Sequence, residues 1–63
     1  MNLIQTLKDS HYNAIGYIYE DGDQLVIKDP HYNVKGYYDK KNDITKDSHH
    51  NTIGHGNLLT TLL

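Results

Sequence analysis

Apolar and polar residues alternate over short stretches of this chain, and polar, turn-prone residues interrupt them at regular intervals. In Ala14-Ile15-Gly16-Tyr17-Ile18-Tyr19 one side carries Ile15, Tyr17 and Tyr19, and the other carries Ala14, Gly16 and Ile18. A period of two is the signature of a half-buried strand. The same reading gives six short strands, at 3–8, 14–20, 24–28, 34–39, 43–46 and 52–55. No segment of useful length holds a helical period. The pattern therefore predicts an all-β fold, a meander of adjacent antiparallel strands.

The pattern is also repeated. Residues 8–19 read KDSHYNAIGYIY, residues 28–39 KDPHYNVKGYYD and residues 46–57 KDSHHNTIGHGN. Lys8/Lys28/Lys46, Asp9/Asp29/Asp47, His11/His31/His49, Asn13/Asn33/Asn51 and Gly16/Gly36/Gly54 recur in all three copies. One domain, 1–63, is thus expected to hold three hairpin units at 3–20, 24–39 and 43–57, with a tail at 58–63. Within each unit a four-residue loop follows the Asp. Pro30 presets the φ of a first loop position. Asn13, Asn33 and Asn51 are expected to take a positive φ at the last one, which Asn tolerates best after Gly. Asp9, Asp29 and Asp47 are placed to accept hydrogen bonds from the loop amides after them. Asp21-Gly22-Asp23 and Lys40-Lys41-Asn42-Asp43 make polar turns between units.

Two features do not follow from alternation. A glycine in mid-strand weakens the strand unless a bulge or a close backbone approach requires it, and the repeat keeps one in every copy. The tail, Leu58-Leu59-Thr60-Thr61-Leu62-Leu63, sets its leucines on one helical face, with Asn57 as a cap. Six residues are too few for a free helix, so helix and strand both stay open and the tail needs something to pack on.

Composition narrows the function classes. The chain has 63 residues, 37% of them hydrophobic, a formal net charge of -2 and no cysteine. Domains near this size bury only about 60% of their unfolded surface, and disulfides, a metal or a partner subunit usually supplement them. Without cysteine, a metal, self-association or unusually good packing remains. Self-association is the expectation, with Leu58, Leu59, Leu62 and Leu63 in or beside the subunit interface. A mildly acidic chain without Arg argues against nucleic acid as partner. No apolar run is long enough to span a membrane. Met1 to Ser10 lacks the features of a signal peptide, which points to the cytoplasm.

The pattern Asp-x-x-x-Asn-x-x-Gly-Tyr, closed by Ile53-Gly54-His55-Gly56-Asn57-Leu58-Leu59, resembles the four-fold β-flower proteins, short bacterial chains of repeated hairpins. The resemblance covers residues 7–63 and rests on short turn motifs. The name implies four hairpins, and this chain has three. The resemblance implies a compact β-repeat fold and no catalytic residues.

Three sets of side chains carry candidate chemistry. Asp-x-His occurs three times, so His11, His31 and His49, with His50 beside the last, would form a metal site if the hairpin tips converged. Outward-splayed tips are the simpler arrangement, and no cofactor is expected. Six tyrosines are the only large aromatics. Tyr12 and Tyr32 in the loops would stack on sugars if exposed, whereas the others suit a core or a subunit interface. Ser10 and Ser48 sit in Asp-Ser-His, but sequence adjacency does not make a triad, and no enzyme is expected. The sequence thus points to a self-associating interaction or structural module, with a carbohydrate-binding or metal-binding protein as alternatives.

Overall fold

The computed structural model describes residues 1–63. Six strands follow one another: β1 (Asn2–Lys8), β2 (Ala14–Asp21), β3 (Gln24–Lys28), β4 (Val34–Asp39), β5 (Ile44–Asp47) and β6 (Thr52–His55). They form one antiparallel sheet in sequence order, a pure meander. Strand boundaries fall within a residue of the alternation pattern. Leu59–Leu62 form a short 3-10 helix, so the open choice for the tail resolves to helix. The N-cap residue is Leu58 rather than the Asn57 expected, and the Asn57 side-chain oxygen accepts the Leu59 amide at 3.1 Å from one position further out.

Each hairpin contains one extra residue at the same place. Leu7 pairs with Gly16 but Lys8 pairs with Ala14, which leaves Ile15 as the bulge. Lys35 bulges between Ile27–Gly36 and Lys28–Val34, and Ile53 between Thr45–Gly54 and Lys46–Thr52. A bulge bends its strand and increases the local twist. The repeated glycine follows it directly.

Those glycines also leave room for a close approach. A Cβ on Gly36 would collide with the Leu62 side chain and lie 2.6 Å from the Lys46 carbonyl oxygen on the next strand. A Cβ on Gly16 would lie 2.9 Å from Leu63 and 3.0 Å from the Lys28 carbonyl, and one on Gly54 would lie 2.7 Å from Leu58. Each hairpin therefore offers a notch, and each notch takes one tail leucine.

The core lies under this tail. Ile18, Ile27 and Leu59 are buried together, with Leu7, Leu25, Tyr38 and Leu62 packed around them. Thr45 is buried and ties the tail down. Its hydroxyl donates to the Gly56 carbonyl at 2.5 Å and accepts the Leu58 amide at 3.0 Å. Leu59 is thus used within its own chain, with Leu62 beside it, whereas Leu63 is 43% exposed. The sequence places all four leucines in or beside a subunit interface; of these, Leu59 and Leu62 pack within the core of their own chain. Only seven of the 63 residues are buried, so the opposite face of the sheet has no second layer of backbone over it.

Candidate functional site

The uncovered face is built outward from the hairpin loops. In each loop the Asp carboxylate acts as a hub. Asp9 Oδ1 accepts the amides of His11 at 2.8 Å and Asn13 at 3.0 Å. Asp29 does the same for His31 and Asn33, and Asp47 for His49 and Asn51. The Asn33 and Asn51 side-chain amides reach the second carboxylate oxygen of Asp29 and Asp47. These bonds hold all three carboxyls below the usual Asp range, chiefly through the amide of the closing Asn.

The loop is one residue shorter than the sequence suggests. Asp9 donates its amide to the Asn13 carbonyl, and Tyr12 donates to the Asp9 carbonyl, so the Asp and Asn form the closing pair around three loop residues. A three-residue loop takes a type I turn followed by one left-handed residue. That residue is Tyr12 (φ 64°), Tyr32 (φ 67°) or His50 (φ 66°), and the positive φ expected at Asn13, Asn33 and Asn51 is corrected to these positions. Asn serves by its carbonyl and amide groups, not by tolerance of the left-handed region.

The left-handed turn aims a ring back over the sheet. The Tyr32 ring stacks on Tyr17 of β2, with centroids 5.2 Å apart and planes 5° from parallel. The His50 ring stacks on Tyr37 of β4 at 4.4 Å and 10°. In both cases a loop ring covers the Gly-Tyr tyrosine of the preceding hairpin. Lys28 adds its ammonium 4.8 Å from the Tyr19 ring centroid. Val26 pairs with Tyr19 on one side and Tyr37 on the other and is buried at 1% exposure. Burial, with Tyr32 alongside, raises the Tyr17 hydroxyl above the ordinary tyrosine range. The bond that the Tyr38 hydroxyl donates to Asp43, at 2.6 Å, is the first cause of the same shift at Tyr38.

The two tyrosines singled out from sequence part company here. Tyr32 is stacked and still 59% exposed, whereas Tyr12 is 82% exposed and has no ring beneath it. His11, His31 and His49 contribute backbone amides to the Asp hubs, and nowhere do three His, Cys, Asp or Glu side chains gather into a group that could hold a metal ion. Sequence reasoning missed His50 as a stacking partner. The signal was in the repeat itself, which sets His50 in the same column as Tyr12 and Tyr32. A shallow polar depression lined by Asp21, Asp23, Gln24, Asp39 and Lys41 lies at the turns between hairpins, away from the rings.

No protein-family model, curated protein or solved structure matches the chain. No helix is long and apolar enough to cross a membrane.

Proposed function

We propose that this is a small self-associating interaction module, a cytoplasmic β-repeat protein of bacterial type, and that its role is surface contact rather than catalysis. The observation that supports this most is the mismatch between its thin core and its exposed apolar side chains. Seven residues are buried, while Met1, Leu3, Ile4, Tyr12, Ile15, Tyr32, Ile53 and Leu63 are all large, hydrophobic and exposed. A lone sheet is ordinarily completed by a second packed layer or by further strands. Light scattering over a range of concentrations tests this, with metal content assayed on the same sample. A mass above the 7.3 kDa of one chain is expected. A monomer at every concentration overturns the reading.

A second reading is favoured by the ring pairs. Tyr17–Tyr32 and Tyr37–His50 present two parallel platforms on one face, of the kind on which sugar rings stack. Binding isotherms against soluble polysaccharides check it. Saturable binding lost in Tyr32→Ala supports this role, and its absence across neutral, acidic and amino-sugar polymers removes it.

A further inference from the structure

The two ends of the sheet are not equivalent. At the β6 end the chain leaves the strand after four residues, turns at Gly56 (φ 82°) and runs into the tail. In the first two hairpins the corresponding residues, from Ile18 and Tyr38 onward, pair with the incoming strand of the next hairpin. The tail replaces that pairing, so β6 offers no such continuation.

The β1 end is open. β1 has seven residues, no proline, a single charge at Lys8 and a neighbour on one side only. Half of the exposed large hydrophobics lie on it, next to it or in the loop after it: Met1 (65%), Leu3 (54%), Ile4 (52%) and Tyr12 (82%). Native edge strands are commonly kept short, charged or covered, and this one has only the Lys8 charge and two irregularities in its ladder with β2, at Leu3/Gln5 and Leu7/Lys8. The repeat supplies an independent sign. The ring of the loop after β3 lies on β2, and that of the loop after β5 lies on β4. The loop after β1 carries Tyr12 in the same left-handed conformation, and no strand of the sheet lies beneath its ring.

The geometry points to β1 of a second copy in that position, antiparallel to the first about a two-fold axis. This rests on the self-association proposed above and names its contact. Antiparallel pairing keeps the two Lys8 charges at opposite ends of the new ladder. It brings each Tyr12 ring to the amino-terminal end of the opposite strand, over the partner's Leu3 and the partner's Ile4. The contact is isologous and closes at two copies. The product is one twelve-stranded sheet with β6 at both outer edges.

Light scattering on the full chain, on the double variant Leu3→Lys/Ile4→Lys and on Ile53→Lys at the other edge tests the assignment. Leu3, Ile4 and Ile53 are exposed, so circular dichroism and melting are expected to report folded protein throughout. The full chain and Ile53→Lys are expected at twice the monomer mass. The double variant should be monomeric, with dimerisation weakened at least tenfold by two pairs of introduced charges, and Tyr12→Ala should fall between. Amide exchange in β1 should also slow as the wild-type concentration rises. A double variant that keeps the dimer mass, or β1 exchange independent of concentration in a proven dimer, overturns the β1 contact and leaves self-association standing. A full chain that is monomeric throughout removes both.

Discussion

The two faces of this sheet solve one problem by different means. A 63-residue chain without disulfides must cover both sides of six short strands. One face is covered by four leucines from a single segment, each reaching the sheet through a notch or the central cluster. The other is covered piecemeal, a ring at a time, by residues from the loops. The first solution depends on close fit to backbone and is intolerant of added atoms. The second depends on flat contacts that tolerate exchange, as Tyr and His at the same repeat position show. Damage should therefore be severe on the leucine face and mild on the ring face.

The most damaging test is Leu59→Ala. Leu59 is fully buried at the centre of the only core. Such truncations cost about 2–5 kcal/mol, a large part of the stability of a small domain, so loss of cooperative melting is expected. A melting temperature within a few degrees of wild type would show that the tail contributes little.

Alanine at the three repeated glycines comes next and grades the notches. Gly36→Ala forces a methyl group against the Lys46 carbonyl as well as Leu62, and backbone cannot step aside. Overpacking of this kind costs about 1–3 kcal/mol. Gly54→Ala meets only the Leu58 side chain and should cost least. Thermal melts in which Gly54→Ala is the worst of the three would contradict the close approach between hairpins.

A smaller effect separates strain from stacking on the ring face. Tyr12 and Tyr32 share a left-handed conformation, which costs a non-glycine residue roughly 1–2 kcal/mol. Glycine relieves it at both positions, but Tyr32→Gly also loses the ring on Tyr17, a contact in the class of about 0.5–1.5 kcal/mol. Tyr12→Gly should therefore raise the melting temperature of dilute protein more than Tyr32→Gly does. Equal gains would mean that the Tyr17–Tyr32 stack is energetically idle.

The smallest expected effect is of acid. The carboxyls of Asp9, Asp29 and Asp47 sit below their ordinary range in the folded chain because loop amides bond the charged form. The unfolded chain binds protons first as pH falls. The contribution of these loops is complete above the unfolded Asp value of about 4 and declines below it, through the lower folded values. Melts at graded pH should show this acid loss flattened in Asp29→Asn. An acid profile unchanged by that substitution would remove the hub role.

Much of this architecture was legible because it is written three times. Alternation located the strands, and the recurring Asp and Asn marked every hairpin. Two readings of the mid-strand glycine, a bulge and a close approach, describe adjacent parts of one device: the bulge falls at Ile15, Lys35 and Ile53, and the approach at the glycine after it. What was not legible depends on where the loop closes. Counting Asn as a loop residue makes it the natural left-handed position. Once its carbonyl accepts the Asp amide, the left-handed position moves one residue back, onto Tyr and His that have no intrinsic preference for it. The ring stacks follow from that shift, so they were hidden by the same miscount. The tail was recognisable as apolar, but nothing in its own residues says that its sockets lie in three separate hairpins.

The way Leu63, Leu62 and Leu58 reach Gly16, Gly36 and Gly54 also sets an order of assembly. Pairing in a meander joins neighbours in sequence, so its loop-closure cost is low and each hairpin can form as soon as it is made. The leucine segment is translated after every glycine it will meet. Until that segment docks, the six paired strands have one bare apolar side. Its docking is the step that turns three adjoining hairpins into a single cooperative body.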